Sequence, residues 1–236
     1  MSYYTRHSNK LKAHLLIFDA MPHETNRTQW FHRQLSKHLA KIGVSSLRFD
    51  YSGTGNSSSY FEDISLSDWR EDMLCLGDHY LNKFHEQQPI FALGTRIGAH
   101  LAKDFIDSRS NNPNSFVITV DAIESGSQLI ADLASLQDDF VNRRPYHAPF
   151  PPQNASSQIF GYPWNEKFRQ ELSQLQADFH KCYNIRTQSK RRSISCESEV
   201  YSQDNFDWLN PETLGLLAFP NQTVSLITNF VKERCL

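Results

Sequence analysis

Pro89-Ile90-Phe91-Ala92-Leu93-Gly94-Thr95-Arg96-Ile97-Gly98-Ala99-His100-Leu101-Ala102 is the stretch on which the rest of the chain turns. An apolar run of strand length enters a turn bracketed by Gly94 and Gly98, and a helical pattern leaves it. Small residues on both flanks let a strand bend sharply into a helix and lift the side chain at the tip. Where such an elbow reads G-x-S-x-G, the lifted residue is a nucleophilic serine. Here it is Arg96. A guanidinium stays protonated in a protein and cannot attack a carbonyl.

Upstream of the elbow, residues 11–18 read as a buried strand ending at Asp19-Ala20-Met21-Pro22. Trp30, Phe31, Leu35, Leu39 and Ile42 then recur at near-helical spacing, so a helix runs to about Lys41 and stops at Gly43. Residues 44–49 form a second strand, and Asp50-Tyr51-Ser52-Gly53-Thr54-Gly55-Asn56-Ser57 is a turn-rich loop. That loop lacks the third glycine or the G-K-[ST] of a phosphate cradle. Ser67 is the expected N-cap of a helix from Asp68 to about Phe84. Downstream of the elbow, a helix from Ile97 to about Ser108 leads through a loop to a strand at 116–120.

Four strands alternating with three helices define an α/β chain with βαβ units and a parallel sheet, helices lying on both faces. The second half changes character. Residues 127–144 read as a helix, 145–153 as a proline-rich linker, and Trp164 to about Phe179 as a second helix with Phe168, Leu172, Leu175 and Phe179 on one face. Together they suggest a helical cap inserted at about 125–180 in a single domain spanning 1–236. Tyr183–Thr187 and Glu199–Gln203 read as weaker strands, joined by a segment too short for a helical crossover. Its Lys190-Arg191-Arg192 triplet reads as a solvated loop. A helix from Gln222 to about Lys232, capped by Asn221, closes the chain.

Composition narrows the function classes. A net charge of −2 among 236 residues gives no basic surface for nucleic acid. Apolar runs are too short for a membrane span, and the opening residues lack the apolar core of a secretory signal. Cys75, Cys182, Cys196 and Cys235 show neither metal spacing nor a disulfide framework, the pattern of a reduced, cytoplasmic chain. No cluster has metal-ligand spacing, and no motif requires a cofactor.

The residues together resemble the α/β-hydrolase fold: Asp50-x-x-Gly53-x-Gly55-x-Ser57 after a strand, then the elbow and a βα pattern. More narrowly, the chain resembles bacterial hydrolase-like proteins associated with the exosortase system. These read P-x-x-E-x-N-x-[ST] after the first core strand and G-L-R-x-G-A at the elbow. The corresponding stretches here are Pro22-His23-Glu24-Thr25-Asn26-Arg27-Thr28, with the hydroxyl residue one place early, and Gly94-Thr95-Arg96-Ile97-Gly98-Ala99, which departs at Thr95. Asp121-Ala122-Ile123-Glu124-Ser125-Gly126, Gly161-Tyr162 and Phe206-Asp207-Trp208 are further echoes. The resemblance implies a cytoplasmic protein linked to extracellular polysaccharide production. Against the fold's usual plan, the opening hairpin is missing or reduced to the first ten residues, and the last crossover helix is absent.

A hydrolase of this fold needs a nucleophile, an acid and a histidine in chain order, with backbone donors for the oxyanion. Arg96 fills the first slot. Asp121 is a candidate acid that also suits a strand-exit turn. The loop Asp204-Asn205-Phe206-Asp207-Trp208 offers no histidine. Thr95 is a candidate hydroxyl without an evident base, and Ile97 offers a backbone N–H. Burying Arg96 demands a carboxylate, with Glu24 first, Asp50 second and Asp121 third. Three readings follow: a non-catalytic cleft at Arg96, Glu24, Asn26, Ile97 and Asp50 that binds a small or carbohydrate-like ligand or a protein; an atypical esterase; or a scaffold with a structural arginine.

Overall fold

The computed structural model describes residues 2–5, 10–84, 88–109, 113–142, 158–187, 196–208 and 220–235. In chain order its strands are β1 (Ser2–Thr5), β2 (Ala13–Phe18), β3 (Val44–Phe49), β4 (Ile90–Thr95), β5 (Ser115–Val120), the short β6 (Gln158–Ile159) and β7 (Tyr162–Pro163), β8 (Phe179–Arg186) and β9 (Cys196–Tyr201). Its helices are α1 (Thr25–Ala40), α2 (Leu66–Leu81), α3 (Gly98–Asp107), α4 (Gly126–Asn142), α5 (Glu166–Ser173) and α6 (Asn221–Cys235). Among these residues a seven-stranded sheet runs β1-β3-β2-β4-β5-β8-β9, and β6 and β7 form a separate hairpin. Every pairing in the large sheet is parallel except β1 with β3.

Both faces of the sheet are covered, which is why β2 and β4 read as continuous apolar runs. Leu16, Phe18 and Ala92 pack against Trp69 and Met73 of α2 and Leu101 and Phe105 of α3. The alternate residues Leu15, Ile17, Phe91 and Leu93 pack against Phe31 and Leu35 of α1 and Ile227 and Val231 of α6. The alternation follows from the two-residue period of a strand. No helix among the described residues is long and apolar enough to cross a membrane.

Several expectations need correction. Of the two readings of the opening residues, the reduced one holds: they supply an antiparallel edge strand, β1. The N-cap of α2 is Ser65, not Ser67: Ser65 Oγ accepts from the Asp68 N–H at 3.3 Å while the Asp68 carboxylate accepts from the Ser65 N–H at 2.7 Å. This reciprocal box satisfies two donors and buries Leu66. Ser67 instead donates its N–H and hydroxyl to Glu171 of α5. The helix expected from Trp164 to Phe179 ends at Ser173, and Phe179 opens β8. β8 and β9 run parallel, so the short segment between them does join two parallel strands. The Lys190-Arg191-Arg192 triplet and the 145–153 linker lie outside the described residues.

At the elbow, a Cβ added to Gly94 would lie 2.2 Å from the Gly98 carbonyl oxygen and 2.3 Å from the Ala99 Cα. One added to Gly98 would lie 2.2 Å from the Phe18 carbonyl oxygen. Real side chains do not approach backbone so closely, so both sites need glycine for the strand and helix to touch. Gly94→Ala is therefore expected to lower stability by about 2–3 kcal/mol and Tm by roughly 5–10 °C. Thermal unfolding followed by circular dichroism checks this, and an unchanged Tm would refute the packing argument.

Candidate functional site

Arg96 lies at the apex of that elbow with φ of 57°, in the left-handed region that a non-glycine residue rarely occupies. The turn is held by its own backbone: the Arg96 N–H donates to the Val120 carbonyl at 3.0 Å, and its carbonyl accepts from the Ala99 N–H at 3.1 Å. The side chain is 1% exposed and meets Glu24, which is 0% exposed, through Nε–H donating to Oε1 at 2.8 Å. The Arg96 Cζ lies 5.4 Å from the centroid of the Trp208 ring, within range of a cation–π contact.

The pair with Glu24 is single, not bidentate. Nη1 and Nη2 are buried and have no hydrogen-bond partner among the described residues. Each buried donor left unmet costs about 1–3 kcal/mol, and more on a charged group. Arg96 also lines a cavity of about 490 Å³ with Ile123, Glu124, Ser125, Gln128 and Asp132.

Glu24 stands in a short 3-10 turn, Pro22–Glu24, that runs into α1. Burial pushes its carboxyl up, but the Arg96 charge, His23 and the hydrogen bonds from Arg96 and Met21 outweigh that and hold it below its ordinary value. One turn later, Arg27 Nη1 donates to the carbonyls of Phe206 and Asp207. The stretch Glu24 to Arg27 therefore grips both the elbow and the loop after β9.

That loop places Trp208, fully buried, beside Arg96. Its Nε1–H donates to Asp121 Oδ2 at 2.8 Å. Asp121 Oδ1 also accepts the Thr187 N–H at 2.8 Å, and the Thr187 hydroxyl donates to Oδ2. Arg27, Trp208 and Thr187 were not among the sequence candidates. The expected motifs contained Arg27 and Trp208, but no spacing rule links residues so far apart.

Thr95 does have a neighbouring base, contrary to the sequence reading. Its hydroxyl is 3.1 Å from His32 Nε2 on α1, and His32 Nδ1 is 3.7 Å from Asp19 Oδ1. Burial pushes His32 down to about 3 and Asp19 up to about 6. Asn26 and Asp50 lie apart from Arg96. Asn26 is exposed on α1, and Asp50 Oδ2 accepts the Asn56 N–H at 3.1 Å in another cavity, with Asp19, Arg33 and Arg48. Ile97 is fully buried directly after Arg96. His100 Nε2 bonds the Ile123 carbonyl at 2.9 Å, and His23 packs on Phe160 with ring centroids 5.4 Å apart. Among the described residues no group of three or more His, Cys, Asp or Glu side chains is placed to hold a metal ion.

No family model matches the sequence, and no curated protein matches it either. Solved structures match it in shape. Est1E from Butyrivibrio proteoclasticus, with bound ferulic acid, superposes with a TM-score of 0.61 at 16% identity, covering 99% of this chain and 92% of that one. A thermostable carboxyl esterase from Bacillus coagulans, in complex with glycerol, gives 0.62 at 9% identity, with 100% and 94% covered. The monoacylglycerol lipase of Paleococcus ferrophilus gives 0.53 at 11% identity, with 99% of each covered. The chain has the α/β-hydrolase fold.

The buried histidines make stability depend on pH. Burial lowers His14 to about 4, His23 to about 4 and His32 to about 3, from an ordinary value near 6.5. Unfolded histidines take up protons below that value while the folded ones do not, so their contribution is present above 6.5 and is lost on acidification. Asp19 acts oppositely, since its folded form holds a proton up to about 6. Burial lowers His100 as well, so with four groups against one, stability is expected to fall by roughly 2–4 kcal/mol per pH unit between pH 6 and pH 5. Urea unfolding at each pH measures the slope. His32→Gln should reduce it by about 1.4 kcal/mol per pH unit, and an unchanged slope would show that His32 is protonated in the fold.

Proposed function

We propose that this is a non-hydrolytic protein of the α/β-hydrolase fold, whose cleft at Arg96 binds a small or carbohydrate-like ligand. In the hydrolases of this fold the nucleophile stands at the elbow, the acid follows a later strand and the base follows the last. Arg96, Asp121 and Trp208 keep that order and meet in space, and this meeting carries the proposal. Trp208 donates to Asp121 as an imidazole would, but an indole N–H only donates and cannot take a proton from a nucleophile. Arg96 offers no nucleophile at all. The aspartate still orients a ring, and nothing remains to transfer a proton. In this reading α4 and α5 cap the cleft. The resemblance noted above sets the protein in the cytoplasm of an exopolysaccharide-producing bacterium.

A second reading, an atypical esterase, is favoured by the esterase and lipase neighbours and by the Thr95–His32 contact at 3.1 Å. It is the weaker one. The Thr95 hydroxyl lies at 0% exposure and is committed to His32. A histidine held at about 3 is a poor base at neutral pH. Asp19 lies 3.7 Å from that ring, beyond a good hydrogen bond, and accepts from the Thr28 hydroxyl instead. A purely structural Arg96 is disfavoured by its two unmet terminal nitrogens.

Hydrolysis of short-chain p-nitrophenyl esters tests the proposal. The parent chain and Arg96→Ser, with Glu24→Gln added to remove the stranded carboxylate, are both expected to match a denatured control. Without a base the serine variant should fall about 10⁴-fold short of a working triad. Parent turnover abolished by Thr95→Ala would establish the esterase reading, and turnover gained only with serine would locate an unrecognised base.

A further inference from the structure

We infer that the second cavity, set between α1 and the exits of β2 and β3, binds a neutral monosaccharide. Its described lining residues include none of those at Arg96, so the inference does not depend on how that cleft is used.

The sheet order builds this cavity. Ile17 of β2 and Arg48 of β3 are register partners in adjacent parallel strands, so their side chains share the face that packs on α1. Arg48 Nη1 donates to the Gln29 carbonyl of that helix at 3.4 Å. Asp19 and Asp50 follow the same two strands. Gln29, Trp30 and Arg33 come from about one turn of α1, at spacings that put Gln29 and Arg33 side by side. Together these residues line a space of about 350 Å³, within the size range of small-molecule sites.

The charges of the lining cancel. Arg33 and Arg48 stand against Asp19 and Asp50. Burial pushes Asp19 up to about 6, so it is still mostly ionised at neutral pH, while His32 in the same wall stays neutral. An anion or a cation would meet as much repulsion here as attraction. An acyl chain would desolvate charged groups and return no hydrogen bond. A neutral ligand rich in hydroxyls suits the lining, because each hydroxyl both donates and accepts.

Uncommitted groups of both kinds are present. Asp19 Oδ1 accepts the Ala20 N–H at 2.7 Å and the Thr28 hydroxyl, whereas Oδ2 bonds none of the described residues. Arg33 makes no hydrogen bond or ion pair with them, and the side-chain amide of Gln29 is likewise unbonded. Trp30 adds a flat apolar surface. The other three tryptophans, Trp69, Trp164 and Trp208, are at most 5% exposed, and Trp30 is the one left partly open. The carbon face of a sugar ring packs on an indole while the hydroxyls at its rim reach polar groups. A small zwitterion is neutral as well but brings no such face.

Titrations of the full chain, followed by tryptophan fluorescence and by calorimetry, test the inference with glucose, galactose and mannose. Glucuronate and glucosamine serve as charged versions of the ring, and serine as a zwitterion. At least one neutral sugar is expected to bind saturably, about tenfold or more tightly than the charged probes and serine. Arg33→Ala and Gln29→Ala, both exposed on α1, should each weaken that sugar about fivefold. Trp30→Phe should abolish the fluorescence change while calorimetry still registers binding. Asp132→Asn, in the cavity at Arg96, should leave the affinity unchanged. The inference fails if no neutral sugar binds, if a charged probe or serine binds most tightly, or if neither Arg33→Ala nor Gln29→Ala weakens the sugar. Weakening by Asp132→Asn alone would put the sugar at Arg96, which overturns this site and supports the ligand-binding reading of that cleft.

Discussion

One buried ion pair constrains this molecule more than any other interaction. An ionised group taken out of water without a partner is among the most expensive things a fold can hold. Arg96 is almost wholly buried at the end of a central strand, so some carboxylate must reach it. Glu24 does so from the turn after β2. Removing either member would strand the other charge, at about 3–5 kcal/mol for such a pair. The turns after β2 and β4 are therefore coupled, and neither can move without exposing a charge to apolar surroundings.

From that pair the network spreads across the carboxyl end of the sheet. Glu24 follows β2, Arg96 follows β4, Asp121 follows β5, Thr187 follows β8 and Trp208 follows β9. Arg96 touches Glu24 and Trp208, Trp208 donates to Asp121, and Asp121 accepts twice from Thr187. Arg27 then fastens the Trp208 loop back to α1. Five strand exits are joined by one continuous set of polar and aromatic contacts. In an open α/β sheet this end is where ligands are handled. Here it is braced by groups that orient one another.

Much of this was legible in the sequence and some was not, for identifiable reasons. The elbow was legible because Gly94 and Gly98 carry a steric requirement that no other residue meets. The Arg96–Glu24 pair was legible because a charge forced into a core turn dictates its partner's type, and Glu24 follows a neighbouring strand. The contacts of Trp208 and Thr187 with Asp121 were not, because they join residues 87 and 66 positions apart that only the sheet order brings together. The helix read from Trp164 to Phe179 failed differently. Phe168 and Leu172 do lie on one buried face of α5, but Phe179 continues the same spacing while being buried as a strand residue. Period alone cannot tell where one kind of burial hands over to the other. Ser67 was mistaken for the cap because Ser65-x-x-Asp68 offers a better one two residues earlier, a choice settled by burying Leu66.

At residue 96 the elbow geometry acts on a guanidinium instead of a hydroxyl. The left-handed turn that lifts a serine toward an acyl carbon lifts any side chain to the same place. A longer, permanently charged group there must be paired on one side, and Glu24 pairs it through Nε alone. A carboxylate placed to take both terminal nitrogens would have closed the site. Glu24 is held back by its own tie to the Met21 N–H at 3.3 Å, at the start of the turn that carries it. The geometry that stabilises the buried charge therefore leaves four of its five N–H donors without a partner among the described residues. A turn that in hydrolases of this fold lifts a nucleophile here holds a paired cation at the end of a central strand.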